Sequence, residues 1–380
     1  MRLTRRTFLL LYGVLLLAGL PLPIWLLFQG QTWVGRGLGI LGVALLLTPI
    51  LLVQVWRSPQ PGRWRGVLLL IGLGGAGFLQ ALVLAAPSGV APAGSPIQQY
   101  HSQGGQFQRY SPFNLIPESE QVNLGFLLMT FLDPYLTAEQ TARVAPITLA
   151  HYEAMAADEN FQALGSSMGL AYAGLFGLPV PQDHYFLYTP ANAGDEPRPA
   201  IIFLHGSAGN FKSYSWVWAT LAEQEGYIII APSYGFGNWD GAGAAAVAQA
   251  LADAQTHANI DPTRIYLMGL SNGGRGVSRL AASQPEQYRG LIFLSPVFDG
   301  AFLDSPAFAA AWANRPVLIL SGAADRRIPA SYVLERADHL DAAGLNVSTT
   351  VYPQEDHFLV FSQPEAIIAA IAAWLATTNP

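Results

Sequence analysis

Cysteine is absent from all 380 residues of the chain. That excludes disulfides, thiolate nucleophiles and cysteine-ligated metals. Charge is scarce as well: Asp, Glu, Lys and Arg make up 12% of the residues, and Lys212 is the only lysine. No basic run is present, and the formal net charge is −6. Nothing in such a chain could neutralise a series of phosphates, so no nucleic-acid partner is expected. The hydrophobic share is 51%, too high for an ordinary soluble enzyme, and the excess is concentrated near the N-terminus.

Three apolar runs, 8–28, 34–55 and 67–86, contain no acidic residue. Each has about the 20 residues that cross a hydrocarbon core. Arg2, Arg5 and Arg6 precede the first run, and Arg57, Arg63 and Arg65 lie between the second and third. The only cation near the first connection is Arg36, at the start of the second run, and no cation follows the third run until Arg109. By the positive-inside rule the N-terminus and second loop are cytoplasmic, and everything after the third span lies outside the cytoplasm. A competing reading takes Thr4-Arg5-Arg6-Thr7-Phe8-Leu9-Leu10 as resembling a twin-arginine export signal, with the first run a cleaved segment. Against it, the run continues into Pro21-Leu22-Pro23-Ile24-Trp25 without a clear small-residue cleavage site. Gly35/Gly39 and Gly72/Ala76 suggest small-residue faces on which the spans pack. Arg36, near the start of the second run, is the only charge inside any of the three, so a transport or proton-relay site is not expected.

The expected organisation is a membrane region over 1–87, a Pro/Gly/Ser/Gln-rich tether over 88–112, a helical preface or cap over 113–183, and an α/β domain over 184–380. Within the preface, Thr137-x-x-Gln140 is a capping box that opens a helix through about Ala157. The stretch 124–132, LGFLLMTFL, is apolar but too short to span a bilayer. It suits either a helical subdomain buried against the core or an element that caps the site or rests on the membrane.

From His184 the period changes. Short β-branched or aromatic runs at 185–189, 200–204, 227–231, 264–268, 291–294, 317–320 and 348–352 alternate with helical stretches at 214–225, 241–258, 273–284, 331–343 and 364–376. This alternation predicts a mostly parallel, doubly wound sheet covered on both faces. Sites in such sheets form beyond the carboxyl ends of the strands.

Four loops there carry chemistry. Gly269-Leu270-Ser271-Asn272-Gly273 joins a strand to a helix, a turn that exposes the serine hydroxyl; a Cβ at either glycine would clash where strand and helix approach. His205-Gly206-Ser207-Ala208-Gly209-Asn210 is a glycine-rich turn whose backbone N–H groups could face an oxyanion. Asp325 and His357 each follow a strand end, so the order is Ser…Asp…His. Asp299 and Asp304, beyond the preceding strand, are the fallback acids, and Asp356 adjoins His357 with poor access to its Nδ1. His205 is read as a brace for the turn, while His101, His151, His257 and His339 are read as packing, linker or surface residues.

DPTRIYLMGLSNGG, LHGSAGN, SGAADRRIP and EDHF together resemble the α/β-hydrolase superfamily. They are similar to its esterase branches: polyhydroxyalkanoate-depolymerase-like, feruloyl-esterase-like and dienelactone-hydrolase-like proteins, with prolyl-oligopeptidase-like peptidases nearby. The resemblance covers residue 184 to the end. It implies Ser271 as nucleophile, His357 as base, Asp325 as the residue that orients the base, and the N–H groups of Ser207 and Asn272 as the oxyanion hole. The dienelactone-hydrolase pattern has cysteine where Ser271 stands, which favours ordinary ester hydrolysis here. The chemistry requires no metal or cofactor. The expected activity is that of a membrane-anchored carboxylic-ester hydrolase with a small or polymeric ester substrate and the lipid bilayer as partner. A peptidase or acyltransferase using the same residues, and a binding protein on a hydrolase scaffold, are the alternatives.

Overall fold

The computed structural model describes the chain apart from residues 1–4, 180, 192, 193, 195, 379 and 380. It divides into two compact units: residues 1–86 with 109–128, and residues 87–108 with 129–380. The twin-arginine stretch lies partly outside the described residues.

In the first unit the three apolar runs are helical. Leu10–Gln29, Trp33–Arg57 and Pro61–Ala85 are long and apolar enough to cross a membrane. The third helix starts earlier than the apolar run because Pro61 occupies its first turn, where a missing N–H costs nothing. Gly39 packs as expected: a Cβ there would lie 2.5 Å from the Leu27 backbone nitrogen, on the neighbouring Pro21–Gln29 helix. Gly72 does not, for it faces open space. Glu120 is buried and accepts hydrogen bonds at 2.5 and 2.7 Å from the N–H and hydroxyl of Thr32, the N-cap of the second span. Asn123 donates to the Gln29 carbonyl at 2.9 Å. These bonds explain why the stretch 113–183 does not behave as one body: its first part is tied to the apolar helices, and residues from 129 onward pack with the sheet.

The second unit is built on an eight-stranded sheet. Its strands are β1 (Ile97–His101), β2 (His184–Tyr188), β3 (Arg198–Leu204), β4 (Ile228–Pro232), β5 (Ile260–Leu270), β6 (Gly290–Leu294), β7 (Pro316–Gly322) and β8 (Asn346–Tyr352), in spatial order β1-β2-β4-β3-β5-β6-β7-β8. β1, β2 and β4 pair antiparallel, and β4, β3, β5, β6, β7 and β8 run parallel. β4 and β6 are buried throughout and β3 from Pro199 onward, as their Ile-, Leu- and Phe-rich runs require when helices cover both faces. Helices Lys212–Glu225, Gly241–His257, Gly273–Ser283, Ala330–Ala342 and Pro364–Thr378 follow the strands in turn.

β1 corrects the reading of 88–112 as a plain tether. Its sequence, IQQYH, is polar because it is an edge strand with one neighbour. Ile97 and Gln99 turn inward, and Gln99 accepts the Gly165 N–H at 3.0 Å. The capping box is present: Thr137 Oγ1 accepts the Gln140 N–H at 3.1 Å, and Gln140 Oε1 accepts the Thr137 N–H at 2.9 Å. The helix it opens, Ala138–Ala157, belongs to the sheet-containing unit.

Candidate active site

β5 delivers Ser271 at its carboxyl end, and the helix Gly273–Ser283 leads away from it. The turn between them is tight enough to place Ser271 at φ +53°, a left-handed conformation that costs a non-glycine residue about 1–2 kcal/mol. The backbone bonds of the turn hold it there: Ser271 N–H donates to Leu294 O, and Ser271 O accepts from Gly274 and Val297, all at 2.9 Å. The glycines answer to close backbone approach. A Cβ on Gly269 would sit 2.5 Å from the Gly273 carbonyl group, and one on Gly273 would sit 2.0 Å from the Leu204 carbonyl oxygen.

His357 Nε2 lies 3.0 Å from Ser271 Oγ, and His357 Nδ1 lies 2.7 Å from Asp325 Oδ2. The Asp325 side chain is fully buried, and its other oxygen accepts the N–H groups of Arg327 and Ile328, each at 2.8 Å. An ionised carboxylate can only accept hydrogen bonds. With Asp325 as a carboxylate, the 2.7 Å contact calls for a proton on Nδ1, and a neutral imidazole would then present Nε2 as an acceptor to the serine hydroxyl. The three residues arrive from the ends of β5, β7 and β8, so parallel neighbours bring together groups up to 86 positions apart.

The other carboxylates are engaged elsewhere. Asp299 pairs with Arg279 at 2.7 Å, and Asp304 pairs with Arg336. Asp356 turns away from its neighbour His357: it accepts Phe358 N–H at 2.9 Å, Arg143 Nη2 at 2.6 Å and Gln140 Nε2 at 3.0 Å. Burial alone would raise its carboxyl pKa, but these donors outweigh burial and hold it below the usual value. Sequence reasoning missed those partners. Arg143 and Gln140 lie on the capping-box helix, 213 and 216 positions upstream, and only the odd placement of a second acid beside His357 hinted that it had other business.

The glycine-rich turn after β3 approaches the serine closely, since a Cβ on Gly206 would meet Ser271 Cβ at 3.2 Å. Ala208 (φ +76°) and Gly209 (φ +112°) curl it, and Asn272 Nδ2 donates to Ser207 Oγ at 2.7 Å, joining the two loops. Among the described residues, the backbone N–H groups of Ser207 and Asn272 donate to no protein acceptor. His205 supports the turn from beneath. It is fully buried, donates from Nδ1 to Gly206 O at 2.7 Å, accepts the Tyr234 N–H on Nε2 at 3.0 Å, and takes the Trp239 indole N–H on its carbonyl at 2.8 Å. Burial lowers its pKa to about 4, so it is a neutral structural imidazole. Among the described residues no group of three or more His, Asp or Glu side chains is placed to hold a metal.

Parallel strands β3 to β8, the antiparallel β2, the serine on the turn after β5 and the acid and histidine after β7 and β8 define one architecture. The domain has the α/β-hydrolase fold. Residues 195–315 match the family described as serine aminopeptidase, S33; the matched span includes Ser271 and the turn at Ser207 and stops before Asp325 and His357. Among curated relatives, the bifunctional acetylxylan esterase/xylanase of Neocallimastix patriciarum is 34% identical over 95 residues, 23% of this chain and 14% of that protein. Acetylxylan esterase A of Aspergillus ficuum is 27% identical over 132 residues, 31% of this chain and 43% of that protein. The chain spans less than half the length of these relatives. Solved structures that overlap it include a thermostable esterase (20% identity, TM-score 0.43, covering 51% of this chain and 58% of that one) and the Pyrococcus horikoshii acylaminoacyl peptidase (15% identity, TM-score 0.43, 51% and 38%).

Proposed function

We propose that the chain is a membrane-anchored serine hydrolase that cleaves carboxylic esters outside the cytoplasm. The observation that carries this reading is the continuous hydrogen-bond chain Ser271–His357–Asp325, with two unpaired N–H groups beside the serine. In the proposed reaction Ser271 Oγ attacks the ester carbonyl carbon while His357 Nε2 takes the hydroxyl proton. The carbonyl π pair moves onto oxygen, and that oxyanion accepts hydrogen bonds from the Ser207 and Asn272 N–H groups. Asp325 stabilises the imidazolium and keeps its proton on Nδ1. When the oxyanion collapses, the C–O bond to the leaving alcohol breaks and His357 returns the proton to that alcohol. Water then repeats the sequence on the acyl-enzyme, releasing the acid and regenerating Ser271.

Ester substrates are favoured by the names of the acetylxylan esterase relatives, and a peptide substrate by the aminopeptidase description of the matched family. Anchoring rests on the three apolar helices, and the outside location rests on the arginine distribution. The test is fluorophosphonate labelling of the detergent-solubilised full chain, beside Ser271→Ala and His357→Ala, followed by rates on p-nitrophenyl acetate and an aminoacyl p-nitroanilide. Labelling of the wild type alone with faster ester turnover supports the proposal. A folded wild type that takes no label sinks it, and faster anilide turnover moves the reading to a peptidase.

A further inference from the structure

Two exposed apolar projections flank the site, and each is fastened to one of its loops. The first ends the helix Glu118–Leu132. Phe131 and Leu132 are 79% and 74% exposed, and the next residue, Asp133, is buried and pairs with Arg327 of the Asp325 loop. Tyr135, half exposed, lies against the same guanidinium at 5.6 Å. The second continues the helix Met168–Leu175, whose Ala171 packs against Gly209 of the oxyanion turn, where an added Cβ would be 2.6 Å away. Ser167, its N-cap, donates to Asn210 O at 2.5 Å. Phe176 and Leu178, 74% and 58% exposed, extend from that helix. Residues 124–132 and 166–182 contain no charged side chain.

Isolated apolar residues on a surface need no explanation, but paired uncharged patches of large side chains beside a site do. We infer that Phe131, Leu132, Phe176 and Leu178 form a rim that dips into the bilayer surface, so that the site takes esters carried in the membrane. This inference rests on the hydrolase reading for its substrate, but not for the rim. The occupant is lipid rather than a protein because the same chain carries three helices built to cross a membrane, which keeps a bilayer within reach of the domain at all times. The absence of charge points to hydrocarbon rather than headgroups. The loops fastened to the rim hold Asp325 and the oxyanion donors, so an ester rising from the membrane would meet the serine without crossing bulk water.

A cysteine-free chain makes the test direct. Leu132→Cys, Phe176→Cys and Glu286→Cys are each labelled with a nitrobenzoxadiazole fluorophore and the full chain is reconstituted in phosphatidylcholine vesicles. Glu286 is exposed and precedes β6, at the opposite end of the parallel strands from Ser271. Phosphatidylcholine spin-labelled on the acyl chain should quench positions 132 and 176 at least threefold more than position 286; equal quenching at all three overturns the rim. A second arm compares Phe131→Ser/Phe176→Ser with wild type. The expected result is a KM raised at least fivefold for a vesicle-borne diacyl ester, with kcat/KM on p-nitrophenyl acetate unchanged. Parallel losses on both substrates overturn membrane delivery. Fluorophosphonate labelling of each variant separates the two readings: label without selective quenching leaves the triad standing and removes the rim, whereas quenching without label removes the hydrolase mechanism and leaves the rim.

Discussion

Asp325→Asn is the sharpest probe of the proposed mechanism, because the surrounding backbone dictates how an amide would sit. The Arg327 and Ile328 N–H groups, both 2.8 Å from Oδ1, need an acceptor. An asparagine must keep its carbonyl oxygen there, which turns its NH2 group toward His357 Nδ1, where Asp325 Oδ2 now lies at 2.7 Å. The amide would then donate to Nδ1, forcing the imidazole proton onto Nε2, the atom 3.0 Å from Ser271 Oγ. A protonated Nε2 cannot accept the serine proton. In a serine protease with this constellation the equivalent change leaves the geometry intact and lowers kcat about 10⁴-fold. The same wrong-tautomer argument gives a loss here of about 10⁴, or roughly 5 kcal/mol of transition-state stabilisation. The buried backbone donors stay satisfied, so thermal stability should change little. The assay is kcat on p-nitrophenyl acetate and the rate of fluorophosphonate labelling, with a melting curve on the same sample. A variant that retains more than a tenth of wild-type activity with an unchanged melting temperature would falsify the assignment of Asp325 as the residue that orients His357.

Gly273→Ala should lower stability by about 1–3 kcal/mol and cut fluorophosphonate labelling, because its Cβ would have to displace the Leu204 carbonyl oxygen 2.0 Å away; labelling and melting that match wild type would refute the close-approach argument. Arg143→Met removes the 2.6 Å charged donor to the buried Asp356, and because Arg143 is partly exposed the loss is discounted to about 1–2 kcal/mol. With the His357 loop loosened, kcat should fall about tenfold while KM holds, and Arg143→Lys should recover part of it; an unchanged kcat would show the pairing to be incidental to the site. His205 and His184 have folded pKa values lowered from 6.5 to about 4 and about 3, by burial in both cases and for His184 also by His101. Between pH 6.5 and about 4 the unfolded chain binds protons that these two folded imidazoles refuse, so stability must fall as pH drops through that window. The slope approaches about 1.4 kcal/mol per pH unit for each histidine. Chemical denaturation of the sheet-containing unit at pH 7, 6 and 5 measures it, and a flat profile would mean that the two sites admit charge.

What the sequence made legible was whatever is written over a few consecutive residues. The Ile228–Pro232 run is buried on both faces, so every position is apolar and the strand declares itself. Ser271, Asp325 and His357 were legible for the same reason. Ser271 directly follows β5, Asp325 stands three residues past β7 and His357 five past β8, and the glycines at 269 and 273 mark where backbone meets backbone. β1 was hidden because an edge strand with one buried face can spell IQQYH, and its periodic signal shrinks to Ile97 and Gln99. The division of 113–183 between two units was hidden because Glu120 and Asn123 look like ordinary surface residues until Thr32 and Gln29 come within reach.

The supports of the site were hidden more deeply. Asp133–Arg327 and Arg143–Asp356 join residues 194 and 213 positions apart, and no local spacing encodes a pairing of that kind. Both pairs start from the stretch between residues 133 and 143, and they end on the two loops that carry the acid and the histidine. A hydrogen-bonded base and acid are useful only while their loops keep the 2.7 and 3.0 Å separations seen here, and β7 and β8 lie at the side of the sheet where the last strand has one neighbour. Asp133, just past the helix Glu118–Leu132, and Arg143, on the helix Ala138–Ala157, thus tie both loops to the same upstream stretch. Residues 133 and 143, within the stretch expected to be a preface or cap, therefore share ion pairs with the loops that carry Asp325 and His357.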